Sequence, residues 1–361
     1  MNGQPLRVGV LGVGFGSVVH IPAFQSEGWD VRALWSRRPE RAREAAVKHG
    51  TGQVHEDWRE VIARDDIDAI AVATPPLAHL EMTRAALEAG KHVLCEKPFA
   101  LDVGQAKEMR DLAKAKGLVG MVAHEFRYAP QRAQIKALIE EGRIGRPQLV
   151  TAELFLGRAA PATPPPVGAT VAEGAGFLGG LGSHFIDGLR HWFGDVESVI
   201  GTTLALRPDR TDASGNVVQV DVDDAFTFTL RFASGVVASM TASSAVSPGS
   251  GGRIMISGTE GTLLAAQRGP NPEPDGVVLF GKSTDRALEE LPMEERFRPF
   301  DDERDHRLMA FRLMLREFER GIRGGAGSAP TPSFDDGVGC QAVLDAVRRS
   351  SVSGRREPVE G

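Results

Sequence analysis

The amino-acid sequence predicts an α/β protein of two domains, a doubly wound parallel sheet over residues 1–125 and a strand-rich second domain over residues 126–361. Three observations carry this. Short apolar runs alternate with helical patterns from Leu6 to Ala123, the rhythm of strand–helix–strand units that build a parallel sheet. The glycine-rich turn Gly12-Val13-Gly14-Phe15-Gly16-Ser17 follows the first apolar run and opens a helical segment. Beyond Val196 apolar residues recur at every second position, as in Phe226, Phe228, Leu230 and Phe232, the period of half-buried strands. With 361 residues the chain is long enough for two domains on the usual scale of roughly 150 residues each.

Composition narrows the function classes. A net charge of -6 argues against nucleic acid or an anionic membrane as the main partner. No apolar run approaches the ~20 residues that span a bilayer. The first residues lead directly into a strand, without the basic region and cleavage site of a signal peptide. Two cysteines, Cys95 and Cys340, are too few for a disulfide framework or a structural zinc site. The expectation is a cytoplasmic, reduced, metal-free protein acting on a small molecule.

In chain order, Leu6–Leu11 is a strand covered on both faces. The glycine turn after it matches the dinucleotide-binding pattern. Gly12 allows a tight turn, Gly14 lets the backbone approach a pyrophosphate, and Ser17 stands where a small residue serves helix–strand packing. Phe15 and Gly16 complete the loop, and the helix start offers free N–H groups to phosphates. The next strand, Val31–Trp35, ends in Ser36-Arg37-Arg38 rather than the acidic residue that would accept from a ribose 2′-OH. A hydroxyl and two guanidinium groups suit a 2′-phosphate and favour NADP over NAD. The alternative is that both arginines merely begin the exposed helix at Pro39–His49.

A strand at Ile67–Ala73 ends in Thr74-Pro75-Pro76, and a helix from Pro76 to Ala89 closes with Gly90. His79, in its first turn, is either a cofactor contact or a hydrogen-bonded surface histidine. The strand from His92 runs into Glu96-Lys97-Pro98. Proline stops the strand, and a lysine at the carboxyl end of a strand lies at the edge where ligands bind α/β sheets. Lys97 is therefore the leading catalytic candidate, against the alternative of an ordinary solvated strand end. Asp102 and Gln105 form a capping-box pattern for a helix to Lys116. A strand at Leu118–Ala123 precedes Glu125-Phe126-Arg127-Tyr128-Ala129-Pro130.

The second domain opens with a helix at Gln131–Glu141 and a strand at Gln148–Phe155. Residues 157–176 read as a long proline- and glycine-bearing surface loop of the size that forms lids or disordered segments. It leads to Gly179-Gly180-Leu181-Gly182-Ser183-His184-Phe185-Ile186-Asp187, where His184 and Asp187 share one helix face. Histidine can take an alcohol proton near neutral pH with a carboxylate orienting the ring. The plainer alternative is a helix start with His184 simply packed. Two hairpins follow, Phe226–Phe232 with Val236–Ala242, and Arg253–Ser257 with Thr262–Ala266; the aromatic face of the first must be covered by helices of the same domain or by another subunit. Leu308, Phe311, Leu315, Phe318 and Ile322 mark an amphipathic helix, and Phe334–Ser350 a final one.

Together the glycine fingerprint, Thr74-Pro75-Pro76, Glu96-Lys97-Pro98, Arg127-Tyr128-Ala129-Pro130 and Gly182-Ser183-His184-x-x-Asp187 resemble the glucose–fructose oxidoreductase / inositol dehydrogenase / MocA (Gfo/Idh/MocA) family over nearly the whole chain. The resemblance implies an N-terminal Rossmann domain and an α+β C-terminal domain with a large, open, mostly antiparallel sheet, through which members form dimers or tetramers. It implies NAD- or NADP-dependent oxidation or reduction of a secondary alcohol or ketone of a sugar or polyol. Lys97 looks like the family's catalytic lysine and His184 like its catalytic histidine; Thr74, Pro75, His79 and Glu96 look like cofactor neighbours. The family's aspartate four residues before the histidine is here Gly180. Glu125 and Asp187 are the candidate replacement carboxylates, and with Arg127 they make up the expected substrate contacts. The departure at Gly180 leaves two alternatives open, a redox-neutral glycoside-cleaving enzyme that recycles bound NAD and a non-catalytic dinucleotide sensor.

Overall fold

The structure, a computed structural model, describes residues 4–157, 174, 176–211, 215–324 and 330–361. The chain divides into two compact units, Met1–Glu125 with Asp302–Gln341, and Phe126–Asp301 with Ala342–Gly361.

The first unit is built on six parallel strands: β1 (Arg7–Leu11), β2 (Asp30–Trp35), β3 (Gln53–His55), β4 (Ala69–Val72), β5 (His92–Cys95) and β6 (Gly120–Val122). Their order is β3-β2-β1-β4-β5-β6, the doubly wound arrangement in which the strand order reverses between β1 and β4. β1 and β4 are almost entirely buried, which their runs of Val, Leu, Ile and Ala require of a sheet covered on both faces. The crossovers are α1 (Ile21–Ser26), α2 (Pro39–His49), α3 (Trp58–Ile62), α4 (His79–Glu88) and α5 (Val103–Lys116). A π-type turn at Gly16–His20 precedes α1. Asp102 caps α5 by accepting from the Gln105 N–H at 2.9 Å, while the Gln105 side chain accepts from Leu101 N–H.

The late helix α8 (Leu308–Gly324) groups with this compact unit, whereas the sequence alone placed everything after residue 125 in the second domain. The reason is packing. Phe311 lies against Phe15 and His20, and Phe318 stacks on Trp29 at 5.8 Å. Glu27 accepts from both Arg312 and Arg316 at 2.7 Å. Residues 330–341, including the start of α9 (Phe334–Ser353), run along β6; the Val122 N–H donates to Pro332 O at 3.0 Å and Phe334 packs on Phe99.

The second unit holds α6 (Pro130–Glu140), α7 (Ser183–Phe193) and a nine-stranded sheet. The strands after β6 are β7 (Pro147–Gly157), β8 (Val196–Leu204), a small β9–β10 pair (Asp209–Thr211 and Val217–Gln219), β11 (Ala225–Phe232), β12 (Val237–Val246), β13 (Gly251–Gly258), β14 (Gly261–Gln267), β15 (Val278–Lys282), β16 (Glu289–Leu291) and β17 (Glu357–Pro358). The large sheet runs β16-β15-β14-β13-β7-β12-β11-β8-β17, antiparallel throughout except for the β7–β12 pair. Both expected hairpins are present, with Gly235 supplying the positive φ of the first turn. The unit's own chain covers the aromatic face: Phe193 packs on Phe232 and Phe177 on Phe226. The opposite face leaves Thr227, Arg231, Thr241 and Arg253 exposed. Apart from residues 157, 174 and 176, the loop expected to form a lid lies outside the described residues.

A Cβ at Gly120 would overlap the Phe334 ring, so β6 and the first turn of α9 can meet only at glycine. Gly120→Ala is expected to destabilise the protein by about 1–3 kcal/mol, the usual penalty for overpacking a fitted core. Urea denaturation followed by circular dichroism would show this as a lower midpoint at unchanged slope.

Candidate active site

Hydrogen bonds just beyond the strands of the first unit bring its functional residues into a row. Gly12 N–H donates to Trp35 O at 2.8 Å, Ala73 to Leu11 at 2.7 Å, Glu96 to Val72 at 2.9 Å and Ala123 to Cys95 at 2.8 Å. Each bond carries the parallel ladder one residue past a strand and aligns the neighbouring carboxyl ends. The edge therefore presents, in order, Ser36, the glycine turn, Thr74, Glu96-Lys97 and His124-Glu125. This is the side of a doubly wound sheet where ligands bind.

The glycine turn fits a dinucleotide. Gly12 has φ +103°, and a Cβ there would overlap the Ala73 carbonyl. A Cβ at Gly14 would meet nothing within 4 Å, so its exposed backbone is open to a close-approaching group. The tight helix–strand contact falls at Gly16, whose Cβ would lie 3.2 Å from Val10, and not at Ser17. Ser17 is half-exposed and hydrogen-bonded to His49 at 3.1 Å. Ser36 accepts from Arg38 N–H at 3.2 Å, while Arg37 and Arg38 are exposed and make no ion pair among the described residues. Thr74 is half-buried, its hydroxyl donating to the Met82 sulfur, and Pro75 is exposed.

His79 is fully buried, which corrects its reading as a surface histidine. Its Nε2 lies 2.9 Å from Thr74 O and its Nδ1 3.1 Å from Pro98 O and 3.3 Å from Phe99 O. Burial lowers its pKa, and a neutral ring can donate on only one side. His79 thus braces the turn after β4 against the turn after Lys97 from beneath the edge.

Lys97 is half-buried, and its neighbours are two buried carboxyl groups. Glu96 accepts from the Lys97 N–H at 3.2 Å and meets His20 Nε2 at 2.8 Å. Burial opposes its charge, yet His20 and Lys97 hold the Glu96 carboxyl below the ordinary range. Glu125 has the opposite balance. Burial, followed by the nearby Glu96 charge, pushes it up to about 7, with Lys97 pulling the other way. His20 went unnoticed in the sequence; its only signal was a histidine four residues after Gly16 in the helix that the fingerprint opens.

In the second unit, two consecutive residues hold α7. Phe126 stacks on the His184 ring at 3.8 Å and 12°. Arg127 grips Asp187 with two bonds of 2.7 Å, both side chains being at most 2% exposed. Arg127 and Asp187, expected as substrate contacts, thus form a buried ion pair that holds the helix carrying His184. Gly180 lies in the π-type turn Leu178–Gly182 just before α7, and a Cβ there would meet nothing within 4 Å. The missing carboxylate is thus not excluded by crowding. Arg132, which the sequence did not single out, is buried against Phe185 and Trp192 and donates to Gln267 at 2.6 Å. Burial lowers its pKa to about 10.

A dinucleotide fingerprint and a lysine on one carboxyl edge define a Rossmann-type oxidoreductase domain, and comparison with known proteins names the family. The family model described as oxidoreductase family, NAD-binding Rossmann fold, matches residues 6–124, and that of the GFO/IDH/MocA C-terminal domain matches residues 133–264. The chain belongs to the GFO/IDH/MocA oxidoreductase family. Levoglucosan dehydrogenase of Pseudarthrobacter phenanthrenivorans is 36% identical over 287 residues, 72% of this chain and 73% of that protein. The crystal structure of an oxidoreductase domain protein from Kribbella flavida superposes with a TM-score of 0.89 at 28% identity, over 99% of this chain and 100% of that one. A levoglucosan dehydrogenase in complex with NADH and levoglucosan does so with a TM-score of 0.88 at 28% identity, again over 99% and 100%. Among the described residues no helix is long and apolar enough to cross a membrane.

Two predictions follow from this geometry. Asp187→Ala leaves the Arg127 guanidinium buried without its main partner and is expected to destabilise the protein by ~3–5 kcal/mol in chemical denaturation. A raised KM at unchanged stability would instead return Asp187 to the substrate. The second concerns pH. A carboxyl whose folded pKa is raised from 4.5 to about 7 favours the native state less as pH climbs through that window, because the unfolded chain ionises first. Glu125→Gln lacks this loss, so its stability relative to wild type should rise from pH 5 to pH 8 in thermal melts. A difference independent of pH would show that Glu125 ionises normally.

Proposed function

We propose that the protein is a dehydrogenase or reductase that moves a hydride between a nicotinamide dinucleotide and a secondary alcohol or ketone of a sugar-like substrate. The observation that carries this is Lys97, which stands on the same carboxyl edge as the glycine turn. When bound, the nicotinamide supplies hydride chemistry. Lys97 hydrogen-bonds the reacting oxygen and stabilises the negative charge that develops there. His184, its ring plane held by Phe126, takes the hydroxyl proton in oxidation and returns it in reduction. Gly12 and Gly14 admit the diphosphate. Arg37 and Arg38, exposed just past the end of β2, support a preference for NADP through its 2′-phosphate, although the levoglucosan dehydrogenase complexes hold NADH. Leu149 and Val237, paired across β7 and β12 and both exposed, support a homodimer or homotetramer formed through the open sheet face.

Nicotinamide absorbance with levoglucosan, other sugars, inositols and keto-sugars, each offered with NADP and NAD, tests the reading. Lys97→Ala should abolish turnover while cofactor affinity stays within a few-fold. An alanine variant that keeps near-wild-type turnover would remove Lys97 from the chemistry. Arg37→Ala with Arg38→Ala should lose NADP affinity at least tenfold and leave NAD almost unchanged, since a charge-assisted bond contributes roughly 1.5–3 kcal/mol. Equal losses for both cofactors would make the NADP preference wrong.

A further inference from the structure

Residues 302–341 lie outside both spans that the family models match, yet they pack within the first unit. One side chain of this segment reaches the glycine turn. The Arg307 guanidinium sits over the ring of Phe15, 5.2 Å from its centroid. Phe15 is the residue between Gly14 and Gly16, so a cation over its ring stands at the loop whose backbone receives a dinucleotide.

The placement is rigid. Phe15 packs edge-on against His20 at 5.8 Å and Phe311 at 6.4 Å. Phe311 lies one turn along α8 from Arg307 and is 4.6 Å from the His20 ring, which in turn meets Glu96. Arg307 Nε and Nη2 grip Asp305 at 2.8 and 2.6 Å, which fixes the plane of the fork. The Nη1 edge makes no hydrogen bond among the described residues, and the side chain is 24% exposed. The hydrogen bonds and charge of Asp305 also hold the Arg307 pKa above its ordinary value, so the group stays cationic. A preoriented guanidinium with one edge open is suited to a phosphate oxygen.

We propose that Arg307 is a dinucleotide-binding residue that donates from Nη1 to an oxygen of the cofactor diphosphate, with Asp305 as its positioning partner. The inference rests on the dinucleotide reading of the site given above. It adds a charged contact from a segment remote in sequence to a loop that otherwise offers backbone N–H groups. The same oxyanion chemistry could come from an acidic substrate, and the test separates the two sources.

The test is equilibrium binding, read by fluorescence for NADH and NADPH and by calorimetry for ADP-ribose and adenosine, in wild type, Arg307→Gln and Arg307→Lys. Thermal melts of the variants should match wild type, because the ion pair with Asp305 is partly exposed. Arg307→Gln is expected to weaken NADH, NADPH and ADP-ribose alike by roughly tenfold to a hundredfold and to leave adenosine unchanged. The salt dependence of NADH binding should become shallower, and Arg307→Lys should recover part of the loss. Unchanged affinity for the three diphosphates would overturn the assignment. So would a defect confined to the KM of carboxylate-bearing substrates, which would move the oxyanion to the substrate. Failure of the wild type to bind any dinucleotide would refute the function proposed above rather than the role of Arg307 alone.

Discussion

Everything at the candidate site of the first unit depends on the parallel ladder between β2, β1, β4, β5 and β6 and its continuation by one residue past the strands. A parallel pair that slips by one residue carries every side chain to the opposite face of the sheet and breaks the fit of both packed faces. With Val8, Val10, Ile70, Val72, Val93 and Leu94 all fully buried, the register is held by the core itself. Once it is held, Gly12, Thr74, Lys97 and Glu125 have no freedom to stand anywhere but on the same edge. Placement of the candidate site is thus a by-product of hydrophobic burial in the strands beneath it.

Charge on that edge is organised by unequal partners of equally buried groups. Glu96 and Glu125 are both nearly inaccessible, and desolvation works against ionising either. Glu96 has His20 and the backbone N–H of Lys97 as hydrogen-bond partners, so it keeps its charge. That charge is then one of the reasons Glu125 does not ionise readily. Two carboxyl groups pushed in opposite directions beside a lysine give the site one fixed charge and one that changes near neutral pH. In the second unit the same physics is used differently, since Arg127 and Asp187 cancel each other and leave a neutral, rigid support for α7.

Much of this was legible in the chain. The alternation of strand and helix, the glycine turn and the Glu96-Lys97-Pro98 strand end are local patterns, because period, turn chemistry and strand termination are set within a few residues. What motif spacing leaves open shares a cause. His79, Arg127 and Asp187 are polar residues near motifs, and proximity in sequence does not reveal whether a partner elsewhere absorbs their hydrogen bonds. The Thr74 and Pro98 carbonyls flank His79, one of them taking the single N–H of its neutral ring, and Arg127 and Asp187 bond each other across sixty positions. The amphipathic pattern of residues 308–322 announced a helix but could not say which core would take its apolar face.

The sequence by itself determined the family, the α/β architecture and the dinucleotide turn, and singled out Lys97 as a candidate, since each rests on residue type and short spacing. Only tertiary structure decided that residues 302–341 complete the first unit, that Glu125 is forced toward neutrality, that Phe126 and Arg127 hold the His184 helix, and that Arg307 reaches Phe15. The physical reason is that desolvation, ion pairing and ring packing act between groups brought together through space. A linear pattern encodes the tendency of a segment to bury one face, whereas the identity of what it is buried against is a property of the whole fold.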